Sequence, residues 1–362
     1  MKIILFTDSL GAGGAQRQLV GLAVMLKERG YDVSVCTYFD VDFYKSQLDD
    51  ASVPNVIIPN ATNTKKRIMA VRSYFKHERP DWVIAYQETP SLVACAAKVL
   101  GCNYKLIVSE RNTTQVVGMN ERVRFFLYRW ADVIVPNSYA QERWLSSHYN
   151  WMKTKIVTIT NFVDLNRFTP ISHIRRSIPE IVVAATIWES KNTIGLIHAL
   201  DIIKQKGIKC HFSWYGKSEL NIDYYNRCIE LINQVGVQDY IDLLPKTKNI
   251  KNKYQEADYF CLPSFYEGTP NVLCEAIACG LPVIVSNVCD NALYAQDGKN
   301  AILFNPQIPE SIALSIEKVL DCSESTYTEQ CIESRKIAEE QLSSEVFFNK
   351  YLKILKHEQT NF

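Results

Sequence analysis

The chain has 362 residues, 47% of them hydrophobic, too many for one core and enough for two. A formal net charge of +1 argues against nucleic acid as the main partner. Charge is split unevenly: residues 1–165 hold 20 Lys+Arg against 15 Asp+Glu, leaving 20 against 24 for the remainder. Such a basic front half suits an anionic lipid surface or a phosphorylated acceptor, and equally a solvated surface with a chance asymmetry.

Strands and helices alternate from the start. "KIILFTD" is a short apolar run, followed by a glycine loop. "AQRQLVGLAVMLKERG" then sets Leu19, Leu22, Ala23 and Leu26 at helical spacing, with Gly30 as the stop. "YDVSVCTY" is the next strand, then come the helix "IMAVRSYFKHERP" and the strand "DWVIAY". The alternation continues through "PSLVACAAKVLG", "KLIVSE", "ERVRFFLYRWA", "DVIVPNS", "AQERWLSSHY" and a strand "KIVTITNFVD". Around 165–179 the pattern weakens into a polar stretch with two prolines, which reads as a linker. It restarts with "IVVAATI", the helix "TIGLIHALDIIKQKG", "KCHFSWYG", "DYYNRCIELINQVG", "YIDLLP", "DYFCLPS", a helix after Thr269, and "LPVIVS". Repeated β-α units imply parallel sheets covered on both faces. The expected domains are residues 1–165 and 166–340, with a C-terminal helical segment 341–362 returning to the first.

The eleven cysteines are scattered singly, without CxxC pairs or histidine clusters, as in a protein of a reduced, cytoplasmic compartment with no structural zinc. The opening apolar run is about five residues, too short for a signal peptide or a membrane span.

In open parallel sheets, ligands bind beyond the carboxyl ends of the strands, so the loops there carry the argument. After the first strand, Gly11, Gly13 and Gly14 permit close backbone approach at a helix N-terminus, which favours an anion; the same residues also suit a plain tight connection. After "KLIV", Glu110 and Arg111 stand at a strand end as acceptor-side candidates, or as a surface ion pair. After "IVVAAT", Lys191 precedes a helix and can meet a phosphate as a point charge, or be an ordinary exposed lysine. The strongest signal is "SFYEGTPNVLCEAIACG", residues 264–280. Thr269 is a good N-cap and Pro270 a good first helical residue, and the helix they open is apolar almost all round. The amides of Gly268 and Thr269 favour negative charge. Glu275, inside the helix, can accept two hydrogen bonds from a vicinal diol, and Glu267, on the loop, can accept from hydroxyls of a second ring. A phosphate between two hydroxylated rings describes a nucleotide-sugar. The plainer alternative is one capping glutamate and one glutamate paired to a basic neighbour.

"EGTPNVLCEAIACGLPVIVS" resembles the Glu-x7-Glu signature of retaining GT-B glycosyltransferases, family 4 above all. "GAGGAQRQLVGLAVMLKERGYDVSVCTY", "NFVD" at 161–164 and "ADYFCLPS" are similar to other conserved stretches of that family, so the resemblance spans nearly the whole chain. It implies an α/β protein of GT-B fold, two Rossmann-like domains facing across a cleft. It implies that Glu275 binds the ribose and Glu267 the donor sugar, with Gly268 and Thr269 near the sugar and diphosphate. Lys191 and an amide of Gly14 would meet the diphosphate. No metal and no cofactor is implied, the nucleotide-sugar being substrate. Transfer would retain the anomeric configuration, with the leaving phosphate helping to deprotonate the acceptor. Two departures stand out. The family's usual Gly-Arg before the lysine is here Ala185 and Thr186, leaving Arg111 as the substitute cation. The family's N-terminal-domain histidine is absent, so the acceptor side falls to Glu110 and Arg111.

Asp40 and Asp42 form a DxD motif, a metal–nucleotide ligand in the other main glycosyltransferase fold, but with no second acidic cluster a solvated loop is the better reading. In "ERVRFFLYRW", Val123, Phe126, Leu127 and Trp130 make a stripe expected to face the core. Arg122, Arg124, Arg129 and Phe125 are left outside to touch anionic headgroups, with "TKKR" at 64–67, on the inner leaflet where lipid-linked sugars are. The last helix should bury Phe347, Phe348, Tyr351, Leu352 and Leu355. The leading expectation is a cytoplasmic, peripheral glycosyltransferase moving a hexose or N-acetylhexosamine, UDP-linked, to a lipid-linked glycan acceptor in surface polysaccharide synthesis. A sugar-nucleotide epimerase of the same fold and a non-catalytic nucleotide-sugar-binding subunit are the alternatives.

Overall fold

A computed structural model describes residues 1–59, 62–114, 116–171, 174–217 and 221–356. The chain divides into two units, Met1–Asn161 with Phe347–Phe362, and Phe162–Val346. Residues 357–362 of the expected returning segment lie outside the described residues.

The first unit is built on six strands, β1 (Lys2–Phe6), β2 (Asp32–Thr37), β3 (Asn55–Ile57), β4 (Trp82–Tyr86), β5 (Lys105–Glu110) and β6 (Val133–Pro136). They pair in parallel in the order β3-β2-β1-β4-β5-β6. The connecting helices are α1 (Gly14–Glu28), α2 (Lys45–Asp50), α3 (Thr64–Glu78), α4 (Glu88–Val99), α5 (Met119–Leu127) and α6 (Tyr139–His148). Strands β1 and β4 are almost wholly buried, which explains their unbroken apolar runs. The expected strand at "KIVTITNFVD" is reduced to an isolated parallel bridge, Ile156 to Ile134.

Six strands also build the second unit: β7 (Glu180–Ala184), β8 (His211–Lys217), β9 (Ile241–Pro245), β10 (Tyr259–Leu262), β11 (Val283–Ser286) and β12 (Ala301–Phe304). All are parallel, in the order β12-β11-β10-β7-β8-β9. Helices α7 (Thr193–Gln205), α8 (Ile222–Val235), α9 (Ile250–Glu256), α10 (Asn271–Ala278), α11 (Asn291–Tyr294), α12 (Pro309–Leu320) and α13 (Glu324–Gln341) flank the sheet. The polar stretch read as a linker belongs to this unit. Phe168 is buried in the core with Tyr254 and Ile277, and the Val163 amide donates to the Leu342 carbonyl at 2.8 Å.

The last helix, α14 (Ser344–Leu355), buries Phe347, Phe348, Tyr351, Ile354 and Leu355. Its Tyr351 hydroxyl meets that of Tyr86 at 2.8 Å, and Phe348 lies under the Arg29 guanidinium at 4.0 Å. The expected face is thus nearly the observed one, with Ile354 buried and Leu352 half-buried.

Helix α5 reverses the expected face. Phe125 is fully buried and Arg124 nearly so, and Tyr128, one residue beyond the helix, is buried with them, whereas Val123, Phe126 and Trp130 are exposed and, of the expected stripe, Leu127 alone packs partly against the core. Phe125 packs among the rings of Tyr128, Trp144 and Tyr149. The cause is an internal carboxylate: Glu110 needs the Arg124 guanidinium and the Tyr128 hydroxyl, and their face must turn inward to reach it.

Candidate active site

The sheet order of the second unit reverses direction between β7 and β10, and a ligand crevice forms beyond the carboxyl ends of such a pair. The loop after β7 is fixed at both ends. Gly216 of β8 lies so close that an added Cβ would fall 1.7 Å from the Ala185 carbonyl oxygen, so no other residue fits there. That carbonyl accepts from Trp214 Nε1 at 2.7 Å, and the Ile187 amide donates to the Gly216 carbonyl at 3.1 Å. A single 3-10 turn, Glu189–Lys191, follows. It ends at Asn192 in the left-handed conformation (φ 58), whose side chain caps α7 by accepting from the Gly195 amide. Lys191 is therefore held by the backbone on both sides.

The loop after β10 docks against this turn, with the Phe265 amide donating to the Ser190 carbonyl at 2.9 Å. Glu267 Oε1 accepts from Lys191 Nζ at 2.6 Å and from the buried Ser264 hydroxyl at 2.6 Å. The two side chains keep modest exposure, 25% for Lys191 and 11% for Glu267, so the pair is oriented yet reachable. Short charge-assisted hydrogen bonds of this kind fix the carboxylate's direction. Helix α10 follows, with Pro270 as N-cap and no side-chain cap. Thr269, expected as the cap, lies one residue earlier and is buried, because the loop turns into the helix at Pro270. A helix N-terminus of this kind favours negative charge. Glu275 is 2% exposed, with Oε2 accepting from the Tyr254 hydroxyl of α9 at 3.2 Å. Gly280, in the left-handed conformation (φ 81), ends the helix, and the Leu281 amide donates to the Ala276 carbonyl.

In the first unit the order reverses between β1 and β4. Gly14 opens α1 behind an extended Gly13 N-cap that has no side chain to cap with. Asp8 Oδ1 shapes the loop before it, accepting from the Ser9 amide at 2.6 Å and Gln16 Nε2 at 3.0 Å. Thr7 Oγ1 donates to Gln87 Oε1 across the two strand ends at 2.8 Å. Exposed Asp40 and Asp42 lie in a loop that braces the glycine segment through Leu10 N to Val41 O at 3.1 Å. Among the described residues, no three His, Cys, Asp or Glu side chains are placed to hold a metal ion.

Glu110 and Arg111 are not poised at an open strand end. Glu110 is 1% exposed, with Oε2 accepting from Arg124 Nη2 at 3.3 Å and Oε1 from the Tyr128 hydroxyl. Arg124 continues to Glu88 at 3.2 Å. Burial pushes the Glu110 carboxyl above its ordinary value, against the opposing pull of Arg124 and the Tyr128 hydrogen bond. Arg111 is also buried, donating to Ser109 Oγ at 3.3 Å and to Asn161 Oδ1, with its guanidinium 4.7 Å over the Tyr86 ring. Both side chains are held by partners within the first unit. Half-buried Thr186 brings a hydroxyl, not a charge, to the loop before Lys191.

The second unit thus joins Lys191 to Glu267, with Gly268 and Thr269 next in the same loop and Glu275 inside the helix that loop opens. Ser264 and Tyr254 are the supporting residues that sequence reasoning missed. Ser264 sits three residues before Glu267 at a strand end, a readable signal. Tyr254 has none, since only tertiary packing brings it to Glu275.

Residues 170–338 match the model for glycosyl transferases group 1, and residues 12–167 that for glycosyltransferase family 4. The chain belongs to these glycosyltransferases. Its relatives include the Campylobacter jejuni GalNAc-alpha-(1->4)-GalNAc-alpha-(1->3)-diNAcBac-PP-undecaprenol alpha-1,4-N-acetyl-D-galactosaminyltransferase, 24% identical over 336 residues and 89% of each chain. Another is the Escherichia coli UDP-Gal:alpha-D-GlcNAc-diphosphoundecaprenol alpha-1,3-galactosyltransferase, 27% identical over 180 residues and 46% of each chain. Among solved structures, an Anabaena protein crystallised with UDP-glucose superposes with a TM-score of 0.86 at 19% identity, covering 99% of this chain and all of that one. The glycosyltransferase therefore has the GT-B fold, with two Rossmann-like units.

Proposed function

We propose that this glycosyltransferase moves a hexose or N-acetylhexosamine from a UDP-linked donor to a lipid-linked glycan, retaining the anomeric configuration and using no metal. The observation that carries this reading is the meeting of Lys191, Ser264 and Glu267 at the β7/β10 switch point, beside the N-terminus of α10. The pair is a stand-in for the donor. A diphosphate entering the crevice takes Lys191 and the amides at the α10 N-terminus, which releases Glu267 to accept from sugar hydroxyls. Glu275 accepts from the ribose, oriented by Tyr254. Gly14 offers a backbone N–H to an anion at the start of α1. The departing phosphate assists deprotonation of the acceptor hydroxyl on the same face. Relatives named for undecaprenol diphosphate acceptors and for UDP-galactose support the acceptor and donor classes.

The test is product analysis with a panel of UDP-sugars and a prenyl-diphosphate-linked sugar. An α-linked donor should give an α-linked product by NMR, at a rate unchanged by EDTA. An inverted product, or activity abolished by EDTA and restored by manganese, overturns the reading.

A further inference from the structure

Gln87, the single residue between β4 and α4, has φ 74 and ψ 170. That conformation is glycine's, and another residue keeps it only where the surroundings enforce it. Here they do. The Gln87 backbone N–H donates to the Ser109 carbonyl at 3.1 Å, and its backbone carbonyl accepts from the Ser91 amide at 3.1 Å. On one side the Tyr86 hydroxyl is tied to that of Tyr351, and on the other Glu88 lies 3.2 Å from Arg124. A glycine would take this backbone without strain, so the glutamine side chain is held here against a strain.

That side chain stands at the β1/β4 reversal, where ligands of parallel sheets bind. It is half-buried, and its Oε1 accepts at 2.8 Å from the hydroxyl of Thr7, itself fully buried. The carboxamide is thereby oriented, and among the described residues its Nε2 has no partner. Two uncharged N–H donors are thus left for a ligand. Asp8 Oδ1, 3.4 Å from the same Thr7 hydroxyl, sets a carboxylate beside them, which disfavours a phosphate and suits the neutral hydroxyl or acetamido oxygens of a sugar.

We infer that Gln87 is a specificity residue for the sugar acceptor, its Nε2 donating to an oxygen of the acceptor's terminal ring while the enforced backbone and Thr7 hold the carboxamide in place. The assignment rests on the reading of a glycan acceptor, and not on the donor, the stereochemistry or Glu267.

The test is titration of the full chain with the methyl glycosides of glucose, galactose and their 2-acetamido forms, followed by saturation-transfer NMR. Wild type should bind at least one of these, and Gln87→Gly about tenfold more weakly, with UDP affinity unmoved. In transfer assays the acceptor KM should rise by a similar factor. Thr7→Val, which removes only the tie to Oε1, should raise the same KM about threefold. Gln87→Ala lacks the same carboxamide but keeps the strain, so Gln87→Gly should melt at least about 2 °C above it. Wild type that binds none of the glycosides, Gln87→Gly that binds them like wild type, or Gln87→Ala as stable as Gln87→Gly overturns the inference. Binding through Gln87 without transfer from any UDP-sugar supports it and sinks the proposed activity instead.

Discussion

Two ion pairs stand near the carboxyl ends of parallel strands, and they differ in nearly everything but chemistry. Arg124–Glu110, after β5, is sealed: its side chains are 4% and 1% exposed. Lys191–Glu267, after β10, is shorter, at 2.6 Å, but open. Burial raises the Glu110 carboxyl, while Glu110 raises the Arg124 guanidinium against its own burial, so each charge there depends on the other. The sealed pair fixes which face of α5 turns inward. The open pair keeps its charges where a ligand can compete for them.

The largest effect should come from splitting the sealed pair. Arg124→Ala leaves Glu110 buried with the Tyr128 hydroxyl but no counter-charge and should cost about 3–5 kcal/mol of stability in denaturant unfolding. Adding Glu110→Ala should recover part of that loss; a loss below about 1 kcal/mol in the single variant would erase the contrast between the pairs.

Splitting the open pair should instead spare the fold and strike turnover. Glu267→Gln should lower kcat about 100-fold, equivalent to about 2.7 kcal/mol, with UDP affinity near wild type. A wild-type rate, or joint loss of nucleotide and sugar binding, would make Glu267 as structural as Glu110.

Glu275→Ala should weaken UDP binding by about 1.5–3 kcal/mol in calorimetry. Tyr254→Phe, which removes only the orienting hydroxyl, should cost about 0.5–1.5 kcal/mol. Unchanged UDP affinity in a folded Glu275→Ala protein would remove the ribose assignment.

The smallest effect belongs to a third, half-exposed pair. His211 Nδ1 lies 2.9 Å from Glu180 Oε2, and that hydrogen bond raises the imidazole above its ordinary value of 6.5. The folded state thus holds the proton more tightly than the unfolded one. The pair's contribution is complete below about pH 6.5 and fades as pH rises through the folded value. The Tm gap between wild type and Glu180→Gln should narrow over that interval; a gap that widens with pH would reverse the sign.

The open site was legible in sequence because its parts are local. Lys191 precedes a helix, and Glu267 and Glu275 fall within one short motif between a strand and a glycine stop. The β-α alternation gave both sheets for the same reason. The sealed site was not legible. Its arginine lies fourteen residues from its carboxylate and sits off the apolar stripe, so counting hydrophobic residues chose the wrong face of α5. Apolar periodicity gives the direction of a helix only when no buried charge outbids it. The short β3 was lost, and a full strand was expected where only the bridge at Ile156 forms, since pairing partners alone define such pieces.

The hydroxyl contact between Tyr86 and Tyr351 has a consequence for biosynthesis. The first unit's opening 161 residues leave the ribosome well before α14, and the 185 residues of the second unit (346 − 161) intervene. At bacterial-scale elongation of about 5–20 residues per second, that delay is roughly 10–40 s. For that interval the nascent sheet lacks the helix that covers Tyr86 and Arg29, so its final locking waits for α14 while the second unit can close within its own contiguous segment.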